Sequence, residues 1–354
     1  MTSTHLPRQV ALADRCYRLL LLTYPASFRC AYGREMAQTF RTSCHEALRA
    51  GGSLQVLRLC GFTLVDLIVS ALKEHSQAFF LRLKQLSGVQ SPSGLDALAL
   101  AAPLHLQVAQ RTDLGCKRGV NEDNLLTVLP EDPQVFREKG ALFVVADGMG
   151  GRTRGERASE LAVATVREVY YREAQGENTA LLVKALEQAN VRIYAESLPS
   201  RSEEDEKASM ATTCIAAVLQ GRTLTVANVG DSRAYVVHGG QIRQVSQDHS
   251  LVADMVRTGT LTPAQARNHE QRHVIYRCLG ARAQVEVDMF VEEVAEGDRL
   301  LLCTDGLSGQ VDDEEILRIV ETSSPEECVR QLIARANATG GPDNITAIVV
   351  HVTA

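Results

Sequence analysis

The feature that most constrains this chain is a repeated ending. Four short apolar runs start or stop at an aspartate that sits beside Gly or Asn. "KRGVNEDNLLTV" places Glu122 and Asp123 before a run, and "LFVVADGMGG" places Asp147 after one. "DRLLLCTDGLSG" places Asp305 after a run, and "GGPDNITAIVVHV" places Asp343 before one. Any one of these reads as a strand followed or preceded by an ordinary Asp-Gly turn. Four together constrain more. Strand ends from different parts of a fold can converge in space. Converging carboxylates repel one another and are costly to bury unless a cation offsets them. Oxygen ligands without Cys or His suit Mg²⁺ or Mn²⁺ rather than zinc. The glycines fit this reading. Gly148 leaves the backbone carbonyl beside Asp147 unobstructed, and Gly150 and Gly151 allow a tight turn into the next segment.

The runs belong to a longer pattern. Short β-type segments occur at 106–112, 124–129, 141–146, 213–219, 223–229, 233–238, 241–245, 285–291, 298–303 and 345–352. "YVVHGGQIRQV" reads as a hairpin closed by Gly239-Gly240. Helical periodicity appears at 155–174, 178–197, 313–321 and 325–337. Strands in clusters and helices in pairs predict an α+β fold of antiparallel sheets with helices packed outside. The charged stretch 200–209 predicts a loop.

The first part of the chain differs. Met36, Phe40, Cys44 and Leu48 recur every fourth residue, and "AGG" at 50–52 stops that helix. Leu57, Cys60, Leu64, Leu67 and Ala71 form a second helical stripe. Residues 1–86 therefore predict an all-α region, and the Ser-, Pro- and Gly-bearing stretch 87–104 predicts a linker to a domain over 105–354. Up to residue 105 there are 11 Lys and Arg against 6 Asp and Glu; beyond it, 26 against 37. The acidic larger part is a poor electrostatic partner for nucleic acid. The basic helical part suits protein docking, dimerisation or contact with a membrane surface. Its most apolar window, 56–72, carries Arg58 and Asp66 and makes a poor membrane span. No signal peptide is apparent, and the nine cysteines are scattered with no CxxC pair. A reducing cytoplasm is the expected setting.

"RGVNED", "ADGMGG", "MATT", "VGDSRAY", "TDGLSG" and "GGPDNIT" follow one another in that order. This series resembles the ordered motifs of the metal-dependent serine/threonine protein phosphatases, the type 2C or PPM family, in their bacterial form. The resemblance covers about residues 105–354 and implies a layered α/β/β/α sandwich of two antiparallel sheets flanked by helices. It implies two Mn²⁺ or Mg²⁺ ions bridged by Asp147. The Gly148 carbonyl would ligate one, Asp305 and Asp343 would complete the other, and Glu122 and Asp123 would hold metal-bound waters. Asp231 resembles the carboxylate that holds a weaker third ion together with Asp305, and a structural turn is the rival reading. Arg118 lies five residues before Asp123, the spacing of the family's phosphate-binding arginine. The implied reaction is hydrolysis of phosphoserine and phosphothreonine by direct attack of the metal-bridging water. The implied partners are phosphoproteins, among them a bacterial Ser/Thr kinase.

Three departures stand out. Arg152 and Arg154 follow "DGMGG", Gly309 replaces an aspartate found in some relatives, and Ala211 replaces a glycine. Residues 246–280 resemble the family's flap and hold His249, His269 and His273, each a conceivable general acid as well as a structural residue. Alternatives within and beyond the enzyme class remain: a phosphatase dedicated to one regulatory phosphoprotein, a hydrolase of a small phosphate metabolite, or a non-catalytic phosphoprotein-binding relative. The last requires lost ligands, and Asp147, Asp305 and Asp343 are all present.

Overall fold

The computed structural model describes Tyr17, Cys44 and residues 104–149, 153–173, 176–197 and 210–353. The chain divides into two compact units, residues 1–100 and 101–354. In the first unit Tyr17 and Cys44 are helical and buried. The rest of the expected helical region 1–86, the expected linker apart from Leu104, Arg152 and the charged stretch 200–209 lie outside the described residues.

The second unit contains two antiparallel sheets. The first runs β1 (His105–Asp113), β11 (Ile345–Thr353), β10 (Arg299–Cys303), β7 (Arg233–His238), β8 (Gln241–Gln244). The second runs β2 (Asp123–Val128), β3 (Ala141–Met149), β5 (Cys214–Gln220), β6 (Thr223–Val229), β9 (Asp288–Glu293), with the short β4 (Ala211–Thr212) on the far end of β3. Between the sheets Phe143, Val145, Ile215 and Val226 meet Ala234, Val236, Leu300, Leu302, Ile348 and Val350. The opposite face of the second sheet, with Leu142, Val144 and Ala216, packs against α2 (Thr153–Arg172) and α3 (Asn178–Ser197). The outer face of the first sheet, with Tyr235, Leu301 and Val349, packs against α7 (Asp313–Thr322) and α8 (Pro325–Ala338). The four layers are helices, sheet, sheet, helices, as the ordered motifs imply. They also explain why β3 and β11 lack alternation. Both faces of each strand are buried, so each reads as a continuous apolar run.

Several elements depart from expectation. A helix α1 (Pro133–Lys139), absent from the periodicity reading, starts behind Asp132, whose side chain accepts from the Gln134 amide, and stops at Gly140 with φ 71°. β9 begins at Asp288 rather than 285 because its partner β6 supplies a ladder only up to Asn228. Val285 and Val287 pack on the core without pairing. The flap-like segment folds as α4 (Leu251–Arg257), capped by Ser250, and α5 (Pro263–Arg267), capped by Thr262. α6 (Asp305–Ser308) follows β10 directly.

Candidate metal centre

The register of β2 and β3 sets the site. Asp123 pairs directly with Asp147, which puts two carboxylates across from each other on neighbouring strands. Like charges in that position are unfavourable, so the pairing stands against local preference. Strand β3 does not end at Asp147. It leaves β5 after Val145 and continues through Gly148 and Met149 against β4. Thr213 holds this crossover: its amide donates to the Asp147 carbonyl at 2.9 Å, and its Oγ1 accepts from the Asp147 amide at 3.0 Å. Thr212 Oγ1 donates to the same carbonyl at 2.8 Å.

The remaining carboxylates arrive from the first sheet. Asp305 follows β10 and Asp343 precedes β11, strands that are neighbours. Glycines permit the approach. A Cβ on Gly306 would lie 1.8 Å from the Asn344 carbonyl oxygen, and one on Gly115 would lie 2.1 Å from that of Asp343. Gly148 has a reason other than the one its sequence context suggests. A Cβ there would lie 2.1 Å from the Gly155 carbonyl oxygen and 2.6 Å from that of Glu122. The glycine lets the first turn of α2 and the Glu122 backbone close on β3.

Asn344 joins the pieces. Its Oδ1 accepts from the Glu122 amide at 2.8 Å, and its Nδ2 donates to the carbonyls of Leu114 and Val120 at 3.1 Å each. The loop bearing Arg118 and Glu122 is thereby fixed to the loop bearing Asp343. Arg118 bridges the two: Nη2 donates to Asp343 Oδ2 at 2.8 Å and Nη1 to Glu122 Oε2 at 3.4 Å. Its side chain keeps 45% exposure.

Burial, then mutual repulsion, governs the electrostatics. The Asp123 carboxyl is pushed up to about 7 by burial and by Asp305 and Asp343, although the hydroxyls of Thr346 and Thr304 oppose the shift. Asp147 is driven well above the usual carboxylate range by burial and then by Asp123, Asp305, Asp231 and Asp343. Asp305 is raised by burial and by Asp343. Asp231 is raised well above its ordinary value by burial, Asp305 and Asp248. Glu122 is raised by burial, against the pull of Arg118. Three carboxylate oxygens, Glu122 Oε1, Asp123 Oδ1 and Asp305 Oδ1, are buried with no hydrogen-bond partner. Among the described residues no three His, Cys, Asp or Glu side chains already close into an ion cage. The fit to a metal therefore rests on chemistry: oxygen donors only, orphaned acceptors, and repulsion that a hard divalent cation would reverse.

All eight residues singled out from the sequence fall in this region. Asp123, Asp147, Asp305, Asp343 and Glu122 lie together, Gly148 lies between Asp147 and α2, and Arg118 bridges the rim. Asp231 sits where Asp305 feels its charge, on the turn between β6 and β7. Arg233 beside it makes a bidentate pair with Asp248, with contacts of 2.7–3.1 Å. The flap is tied to that turn by His249, which is 2% exposed. His249 Nδ1 accepts from the Gly230 amide at 3.0 Å, so Nε2 carries the proton and faces Asp288 Oδ2 at 3.2 Å. That places His249 in a structural role. His269 Nδ1 accepts from the Gln271 amide at 3.1 Å, while exposed His273 is the one whose charge Asp305 feels. Reading the sequence missed Asn344, Thr304 and Thr346. Their only signal is position, one residue from a site aspartate in "CTDG" and up to three in "DNIT".

The comparisons with known proteins agree with this geometry. The profile of the family described as Protein phosphatase 2C matches residues 123–347. A serine/threonine phosphatase, stp, of Listeria innocua is 39% identical over 257 residues, covering 68% of this chain and 94% of that protein. The catalytic domain of the serine/threonine protein phosphatase PstP, solved in complex with two manganese ions, superposes with a TM-score of 0.60 at 35% identity, covering 71% of this chain and 100% of that one. The serine/threonine phosphatase Stp1 from Staphylococcus aureus gives a TM-score of 0.62 at 32% identity, covering 71% and 96%. With opposed aspartates on β2 and β3, two more from the facing sheet, and matches that span nearly the whole of these proteins, the chain belongs to the protein phosphatase 2C family.

Proposed function

We propose that residues 105–354 form a metal-dependent phosphatase domain that hydrolyses phosphoserine and phosphothreonine in proteins. The observation that carries the reading is the Asp123–Asp147 pair across β2 and β3, completed by Asp305 and Asp343 from the other sheet. Asp147, the Gly148 carbonyl, Asp305 and Asp343 would hold two Mn²⁺ or Mg²⁺ ions, with Glu122 and Asp123 holding waters on them and a weaker third ion at Asp231. When bound, such ions acidify water and offset charge on the phosphoryl oxygens. The protein's own part is placement. Two sheets mount the carboxylates rigidly, and Thr213 locks the backbone of Asp147. Arg118 has two of its N–H donors engaged with Glu122 and Asp343; its planar fork suits capture of a phosphate dianion at the same rim.

The substrates in this reading are phosphoproteins, including a Ser/Thr kinase whose phosphorylation the enzyme reverses. Residues 1–86 serve as a separate docking region for a protein or membrane surface, with the enzyme on the cytoplasmic side. Among the described residues no helix is long and apolar enough to cross a membrane.

The test is turnover of phosphothreonine and phosphotyrosine peptides with Mn²⁺ or Mg²⁺, with and without chelator. Metal-dependent phosphothreonine hydrolysis is expected. Activity that survives chelation overturns the mechanism, and a strong phosphotyrosine preference overturns the substrate class.

A further inference from the structure

The two oxygens of Asp123 are treated differently. Oδ2 accepts two hydroxyl bonds, from Thr346 Oγ1 at 2.7 Å and Thr304 Oγ1 at 2.9 Å. Oδ1 is buried and accepts none. Both threonines are fully buried, and each comes from the side of the sheet opposite Asp123: Thr304 directly follows β10, and Thr346 lies at the start of β11.

Counting protons sets the direction of the network. In the ionised form, which a bound cation would favour, the Asp123 carboxylate only accepts, so Thr346 spends its single hydroxyl proton on it. Its 2.8 Å bond with Thr112 Oγ1 must then run from Thr112 to Thr346. Thr112 has given its proton away, so its remaining bond, from Asn121 Nδ2 at 2.8 Å, must be accepted. Asn121 is oriented in turn because its Oδ1 accepts from the Asp123 amide at 3.2 Å. Thr304 Oγ1 donates to Asp123 and accepts from the Thr346 amide at 3.1 Å. Thr112 and Thr346 face each other in the β1–β11 register, which keeps the relay in line. Every donor and acceptor here has one consistent assignment, and all of it converges on Oδ2.

We propose that Thr304 and Thr346 are positioning residues that lock the Asp123 carboxylate by its Oδ2 and so present the unbonded Oδ1 to the metal centre. Thr112 and Asn121 set the direction of the Thr346 hydroxyl. The inference rests on the metal-centre reading above and extends it to residues outside the ligand set. At Thr346 packing alone does not call for a hydroxyl, since the neighbouring positions of β11 are Ile, Ala and Val, and Thr304, which caps α6, makes no side-chain cap bond. A buried carboxylate oxygen left without a donor is costly. Two hydroxyls directed at the other oxygen of the same carboxylate keep it in that state. Outer-shell partners of a metal site, among which Asp123 and its two hydroxyls stand in this reading, commonly account for about 10- to 100-fold in metal affinity.

The experiment uses the full chain. Mn²⁺ binding is measured by calorimetry for wild type, Thr304→Val, Thr346→Val and the double variant. Metal-free melting temperatures are taken in chelator. The double variant should bind Mn²⁺ about 10- to 100-fold more weakly. Thr346→Ser, which keeps the hydroxyl, should bind like wild type. In an Asp123→Asn background the valine changes should add nothing further, because they act through that carboxylate. Should the double variant fail to fold, each single variant, which retains one hydroxyl, carries the same comparison. Mn²⁺ affinity within about twofold of wild type, or an undiminished loss in the Asp123→Asn background, overturns the positioning role while leaving the metal centre intact. A wild-type chain that takes up no Mn²⁺ overturns both.

Discussion

Replacing Gly148 by alanine separates two explanations for the glycine. If the residue were glycine only to keep its carbonyl unobstructed for a ligand, alanine would weaken metal binding and leave the metal-free melting temperature unchanged. The structure predicts otherwise. The added Cβ would lie 2.1 Å from the Gly155 carbonyl oxygen, 2.4 Å from its carbonyl carbon and 2.6 Å from the Glu122 carbonyl oxygen. All three are backbone atoms. The first turn of α2 and the Glu122 segment must therefore move, and no side chain can swing aside. Overpacking of a buried site costs about 1–3 kcal/mol, and contacts with backbone belong at the upper end. For a unit of this size about 3 kcal/mol corresponds to a fall of roughly 6–12 °C in melting temperature. The assay is thermal unfolding in chelator, followed by Mn²⁺ calorimetry. Gly119→Ala is the control. Gly119 lies beside Arg118, and a Cβ there meets nothing within 4 Å. It should melt like wild type or slightly higher, by up to about 1 kcal/mol through the unfolded chain. A Gly148→Ala variant that melts with wild type and binds Mn²⁺ normally would refute the packing argument.

Two further outcomes follow from the charges. Asp147→Asn should abolish metal-dependent turnover yet raise the melting temperature in chelator. It removes a buried carboxylate that burial and four neighbouring aspartates push far above its ordinary range; near wild-type turnover would remove Asp147 from the mechanism. Asp288, at the root of the flap, is held below the usual carboxylate range by its hydrogen bond to His249 and by Arg277, with burial opposing. A depressed folded value means stability present above the unfolded value of about 3.9 and lost as pH falls through the folded one. Asp288→Asn should therefore melt below wild type at neutral pH, with the gap closing in acid; a gap constant with pH would contradict the assignment.

Much of the centre was legible in the chain because its signals are local. A carboxylate at the end of an apolar run is visible within ten residues, and the strands around Asp147, Asp305 and Asp343 lie where period and composition put them. The residues that went unread have no local signature. Thr304, the residue after β10, and Thr346, in β11, look like ordinary threonines until Asp123 arrives from the opposite sheet. Asn344 looks like a turn residue until it is seen bonding Glu122, Leu114 and Val120. The packing need for Gly148 is equally invisible in its own segment, because its close neighbours lie in another strand-end segment and a helix.

What the sequence by itself determined is the class of fold and which carboxylates lie at the strand ends. Buried-strand composition, helical period and Asp-Gly punctuation are properties of short segments and survive without tertiary context. What only the tertiary structure decided is how those carboxylates are held. The register that sets Asp123 against Asp147, the glycines that admit Asn344 and Gly155, and the hydroxyls that claim one oxygen of Asp123 all join residues far apart in the chain. Such contacts are chosen by how two sheets pack, and packing depends on the whole core at once.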